Sequence, residues 1–211
     1  TLRNILAEPA YARRQVRAFV VRHKSRIGGS RYDFFMELSR GEHIFCFSAK
    51  KQSVSKGCYY SITLDQSSDS RRSRASGSDN FIGKVRSDRK ATEYTLYDDG
   101  ASPEDNKNDC ELRREFLYVS FTNSLRNRQP GAMIVVTPDF SSNREALVVR
   151  PKSSNETMAS RSLRQQYDGY AVLKNREPKW NPSANMYQLD FGGRASMASC
   201  KNIQLHRVNG P

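Results

Sequence analysis

At 211 residues the chain sits at the upper edge of a single domain, long enough to bury a sizeable core. Its 36% hydrophobic fraction and mean hydropathy of −0.77 point to one modest core with long polar loops, and ten Phe and ten Tyr exclude disorder throughout. A formal charge of +13, from 35 Lys and Arg against 22 Asp and Glu, points to polyanions: nucleic acid, anionic lipid or heparin-like polymers. The plain alternative is an inert, solubilising basic surface.

Cys46, Cys58, Cys110 and Cys200 lie far apart, and His23, His43 and His206 are equally scattered, so neither a metal site nor a metal cofactor is indicated. No secretory signal opens the sequence, which predicts reduced thiols in an intracellular protein, with Cys58 and Cys200 packing as small apolar residues. No stretch approaches ~20 apolar residues, so membrane contact through a spanning helix is excluded and only peripheral contact is expected.

In chain order, Thr1–Ala12 predicts a short helix limited by Pro9, with Leu2, Ile5 and Leu6 on one side. Strands follow at Gln15–Lys24, Tyr32–Leu38, His43–Ala49 and Tyr59–Leu64, each an aromatic or β-branched run bounded by turn residues. Gln66–Ser78 is a low-complexity tract that predicts a flexible, solvated loop, with Arg71, Arg72 and Arg74 as its cations. Asn106–Arg114 and Ser153–Arg164 read as further polar excursions. Additional strands fit Phe81–Ser87, Glu93–Tyr97, Phe116–Phe121, Ala132–Thr137, Ala146–Val149, Tyr170–Leu173, Met186–Phe191 and Asn202–His206. Many short strands without βαβ alternation predict one all-β domain, a sandwich or barrel with minor helix, over residues 1–211.

Phe81-Ile82-Gly83-Lys84-Val85-Arg86-Ser87 carries the chemistry. Strict alternation along an extended strand places Phe81, Gly83 and Val85 on one face and Ile82, Lys84 and Arg86 on the other. The two cations are then about 6.6 Å apart at Cα, close enough to converge on adjacent phosphates of one small ligand. Lys supplies a mobile point charge and Arg a planar fork.

This strand, followed by Thr92-Glu93-Tyr94-Thr95-Leu96-Tyr97-Asp98-Asp99-Gly100, resembles the central signature of the tubby family. The likeness recurs in Lys174–Asn181 (with Arg176 where Lys is common), in Tyr187–Arg194 and in Ala198–Asn202, where Ile203 replaces the usual Phe. Weaker similarity runs from Val16 through Asp65. The resemblance implies a closed antiparallel β-barrel threaded by an apolar C-terminal helix. It also implies binding of phosphatidylinositol 4,5-bisphosphate at the inner face of the plasma membrane, without a cofactor. It further implies a monomeric, membrane-tethered cytoplasmic adaptor in signalling or trafficking, with possible protein cargo and with cilium or nucleus as further locations. The family's phosphate contacts carry over to Lys84 and Arg86.

Other positions depart from the pattern. Tyr59 stands where the family commonly places Asn before a strand Tyr, and Arg126 and Arg128 are the nearest cations to a family Arg that has no equivalent here. All three are candidate additional contacts. The sequence stops at Pro211, where the family continues into its buried helix, so the expectation is a barrel without that helix. A shortened chain, an incomplete product and a barrel filled otherwise all stay open.

Two rival readings remain. Catalysis lacks support: Asp98-Asp99 before Gly100 reads as turn chemistry, and no nucleophile elbow, P-loop or HExxH is present. Nucleic-acid binding or a transcription-related role is permitted by the charge and by the basic run Arg13, Arg14, Arg17, Arg22, Lys24 and Arg26, which would equally add membrane attraction. Trp180 reads first as a structural anchor and second as a membrane-inserting tip.

Overall fold

The computed structural model describes all residues except 1, 8–15, 25–28, 39–40, 55–56, 67–79, 106–107, 123–130, 141–144, 146, 198, 200 and 210–211. The strands, in order, are β1 (Arg17–His23), β2 (Arg31–Glu37), β3 (His43–Val54), β4 (Gly57–Thr63), β5 (Phe81–Ser87), β6 (Glu93–Asp98), β7 (Glu115–Thr122), β8 (Ala132–Pro138) and β9 (Tyr170–Asn175), followed by β10 (Lys179–Asn181), β11 (Met186–Gln188) and β12 (Leu205–Arg207). One antiparallel sheet takes β1 to β9 in sequence order and ends on β12, while β10 and β11 form a separate hairpin. From β1 to β9 each strand pairs with its neighbour in sequence, an antiparallel meander without a crossover.

Helix is sparse. α1 (Leu2–Ala7) has no buried residue. α2 (Met158–Leu163) is capped by Thr157, whose side chain accepts from the Ser160 N–H. It packs on β7 and β8 and buries Met158 completely. With Tyr118, Val136, Val149 and Tyr170, Met158 forms the hydrophobic core on one face of the sheet, called here the α2 face. Glu115, only 2% exposed, accepts the Met158 N–H at 2.7 Å and ties β7 to the start of α2. Burial is the main influence on this carboxyl and raises its pKa; the Met158 hydrogen bond and Arg113 act in the opposite direction.

At the first strands, buried Asp33 gathers Ser48 Oγ (2.6 Å), His23 Nε2 (2.9 Å) and the Arg31 guanidinium (3.0 Å), stitching β1, β2 and β3 together. Stacked Phe34 and Phe47, with centroids 4.8 Å apart, pack across the same pair on the opposite face.

The structure corrects several expectations. The sheet is open among the described residues, not a closed barrel: β1 pairs only with β2, and β12 only with β9. Closure requires rungs between the two edges, and β12 has only three residues, all exposed, while β1 is exposed along its whole length. Neither six-residue helix fills the sheet's interior. The polar excursion at Ser153–Arg164 contains α2, the described part of Ala146–Val149 is not strand, and Met186–Phe191 and Asn202–His206 hold only three-residue strands. The tract at Gln66–Ser78, with Arg71, Arg72 and Arg74, falls outside the described residues but for Gln66, as does Cys200. Cys58 is half-buried, its thiol 3.3 Å from Ser87 Oγ.

Two predictions follow from the α2 packing. Met158→Ala lowers unfolding free energy by about 3 kcal/mol in chemical denaturation; an unchanged midpoint would remove α2 from the core. The folded state holds the Glu115 proton more tightly than the unfolded chain does, so that contribution is complete below pH 4.5, its ordinary value, and is lost as pH rises through the raised one. Glu115→Gln therefore flattens the stability profile across this rise, measured as melting temperature against pH.

Candidate functional site

Residues opposite one another across antiparallel rungs share a face. On the α2 face one row runs Lys50, Ser61, Lys84, Tyr97, Glu115, and the next runs Gln52, Tyr59, Arg86, Thr95, Tyr118, Val136. Lys84 and Arg86 thus stand beside one another over small neighbours, Ser61 and Thr95, which are buried at 2% and 8% exposure. Arg86 is exposed and Lys84 half-buried.

A β-bulge sets this arrangement. Thr63 pairs with Phe81 and Ile62 with Gly83, leaving Ile82 as an extra residue in β5. Strict alternation therefore fails at the start of the strand: buried Phe81 joins the face of Lys84 and Arg86, and Gly83 stays on the other. The expected pairing of Lys84 with Arg86 on one face stands.

Both signature glycines mark places where another backbone crosses closely. A Cβ on Gly83 would lie 2.3 Å from the Tyr97 carbonyl oxygen. A Cβ on Gly100 would lie 2.5 Å from Arg113 Cα and 2.6 Å from its nitrogen. The connection from β6 to β7 runs tightly against Gly100, held by Ala101 N–H to the Glu111 carbonyl and Arg113 N–H to the Ala101 carbonyl, each 2.9 Å. Asp98 fixes the same turn. One of its oxygens accepts from the Gly100 and Arg114 N–H groups at 3.0 and 2.8 Å, and the other from Arg114 Nε at 2.8 Å. Asp98-Asp99 is turn chemistry, as its position before Gly100 suggests; Asp99 ion-pairs with Arg3 of α1.

The path of that connection brings in a cation that sequence reading missed. Arg113 lies over the Tyr97 ring, its guanidinium carbon 4.4 Å from the centroid, in the row of Lys84. Burial is the largest influence lowering the Lys84 pKa, followed by repulsion from Arg113 and Arg86; Asp105 and Asp98 offset this only in part. Burial likewise raises Tyr97, with Glu115 adding to it. Three cations therefore share one patch, and neither Lys84 nor Arg86 has an ion-pair partner among the described residues. The sequence signal for Arg113 lies in Gly100, whose missing side chain lets the returning chain approach.

Tyr59, the first candidate additional contact, is placed directly opposite Arg86. Arg126 and Arg128 lie outside the described residues. Trp180 is not a buried anchor: it is 50% exposed on the β10–β11 hairpin, edge-on to Tyr187 at 5.1 Å. Among the described residues no group of His, Cys, Asp and Glu is arranged to hold a metal, and no helix is long and apolar enough to cross a membrane.

The model of the Tub family matches residues 6–210. The chain is 31% identical to human (Homo sapiens) Tubby-related protein 1 over 213 residues, covering 99% of this chain and 38% of that protein. It is 33% identical to mouse (Mus musculus) Tubby-related protein 2 over 184 residues, 85% of this chain and 32% of the relative. Tubby protein homolog 1 of Caenorhabditis briggsae is 28% identical over 222 residues, 100% of this chain and 51% of the relative. The chain therefore spans between about a third and a half of these relatives' lengths.

The two close approaches are testable. Gly83→Ala and Gly100→Ala each lower stability by about 1–3 kcal/mol, because the obstructing atoms are backbone and cannot swing aside. Denaturation curves superimposable on wild type would show that neither backbone is held where described.

Proposed function

The chain belongs to the tubby family, and from that premise we propose that it is a phosphoinositide-binding module that attaches to membranes carrying phosphatidylinositol 4,5-bisphosphate, not an enzyme. The observation that carries this reading is the patch of Lys84, Arg86 and Arg113, three cations on one sheet face, with no carboxylate among the described residues in ion-pair contact with Lys84 or Arg86. Lys84 and Arg86 contact adjacent phosphates of the head group, and Arg113 neutralises charge from the Tyr97 side. Tyr59, opposite Arg86, offers a phenol to an inositol hydroxyl. Mutual repulsion among these cations is relieved when a multiply charged anion binds, which favours a bis-phosphate over a single charge.

In this reading the protein is a peripheral adaptor at the inner face of the plasma membrane, acting in signalling or trafficking. A basic surface alone would also attract nucleic acid, but head-group preference belongs to a lipid reader and separates the two.

Co-sedimentation at about physiological salt tests the proposal, using vesicles matched in charge through phosphatidylinositol 4,5-bisphosphate or phosphatidylserine. Wild type prefers the former, and Lys84→Ala/Arg86→Ala loses that preference with its melting temperature retained. Equal binding to both vesicle sets by wild type and variant sinks the pocket. Charged Lys84 binds phosphate and burial lowers its pKa, so affinity falls before the pH reaches 10.5, the ordinary lysine value. Lys84→Arg, which stays charged, flattens that fall in the same assay.

A further inference from the structure

An antiparallel meander sends its connections alternately to the two ends of the sheet. The β1–β2, β3–β4, β5–β6 and β7–β8 connections share one end, and the chain leaves the sheet at that end after Asn175 and re-enters opposite it at Leu205. Among the described residues of these connections there are seven cations (Lys24, Arg89, Lys90, Arg176, Lys179, Arg194 and Lys201) against three acids, Asp88, Glu177 and Asp190. At the opposite end the described residues of the β2–β3, β4–β5, β6–β7 and β8–β9 connections hold six Lys and Arg against eleven Asp and Glu. Among the described residues of these connections, net basic charge therefore lies at one end of the sheet.

At that end projects the β10–β11 hairpin with the chain's single tryptophan. Trp180 and Met186 are each about half exposed, and Lys179 is exposed beside them. Further along the same segment, Arg194 and Lys201 flank Phe191 and Ile203 around one cleft. An indole in this setting has a half-exposed apolar body and a polar N–H, the combination that sits at a bilayer's head-group level. The surrounding cations match an anionic lipid surface and would not steer a neutral apolar partner.

We infer that the β10–β11 end docks on anionic phospholipid bilayers, with the Trp180 indole seated among the head groups. This rests on the membrane-surface reading above and adds a second contact, independent of stereospecific head-group recognition, that fixes which end of the sheet faces the lipid. Arg86, one residue from the end of β5, lies towards the same end, so pocket and hairpin can engage one surface together.

Because Trp180 is the only tryptophan, intrinsic emission reports this contact in the unmodified protein. Phosphatidylserine vesicles without phosphoinositide are expected to shift the emission to the blue, and brominated lipid to quench it. Lys90→Glu/Lys179→Glu loses both effects, and Arg164→Glu at the opposite end of the sheet leaves them intact. Trp180→Ala weakens vesicle partitioning about tenfold, read by sedimentation. Sedimentation with vesicles while the emission stays unshifted and unquenched overturns the inference and leaves the pocket standing. Failure to sediment with vesicles of either lipid overturns the membrane reading itself, as does an emission change produced by an RNA oligonucleotide and by neither vesicle.

Discussion

The register between β4 and β5 governs everything built on this sheet. Ile62 faces Gly83 and Thr63 faces Phe81, so Ile82 is accommodated without a partner. Had β5 run as a plain strand from Phe81, Phe81 and Lys84 would stand on opposite faces. The extra residue instead places buried Phe81 on the face that carries the cations. Two further register shifts, at Phe34/Phe35 and Leu96/Tyr97, act in the same way. The second puts Glu115 and Tyr118 on one face although they are three residues apart, which is why β7 buries both.

Downstream of that register, the patch is a compromise between stability and charge. Placing Lys84 half-buried between Ser61 and Tyr97, with Arg86 and Arg113 nearby, disfavours its protonated form. The glycines make the crowding possible, since Gly83 admits the Tyr97 carbonyl and Gly100 admits the backbone of Arg113. A stabilising redesign would remove one cation or supply a carboxylate. The sequence does neither at Lys84 or Arg86: Asp98 turns to Arg114, Glu115 turns to Met158, and Asp105 is taken by the Ser102 N–H. Nearby acids are committed to backbone turns and packing, and among the described residues none forms an ion pair with Lys84 or Arg86.

Much of this was legible in the sequence, and the failures share a physical cause. Local signals, namely aromatic and β-branched runs between turn residues, located the first nine strands, and β5 to the residue. The pairing of Lys84 with Arg86 needs only alternation over three residues and held. Features that depend on distant partners were not legible. α2 is a single polar-looking segment, MASRSL, whose helix is secured by Glu115, 43 residues earlier in the chain, and by burial of Met158 alone. Arg113 reaches Tyr97 by a route that only the packing at Gly100 reveals. Closure of the sheet was inferred from resemblance, and no local signal bears on whether β1 meets another edge.

The distribution of charge shows how topology converts composition into a surface. A formal +13 spread evenly would produce a molecule attracted weakly and in every orientation to any polyanion. Strand order alternates the connections between two ends, and eleven of the fourteen acids in their described residues fall on one side of that alternation: the β6–β7 connection alone places Asp99, Glu104, Asp105, Asp109 and Glu111 at the end away from the hairpin. The result, among the described residues, is a difference of charge along the strands, and such an asymmetry orients as well as attracts. A charged surface within about a Debye length pulls one end closer and pushes the other away, so orientation is set before any specific contact forms. Such pre-orientation matters most for a patch as small as Lys84 and Arg86, which faces a charged surface only when its end of the sheet is turned towards it.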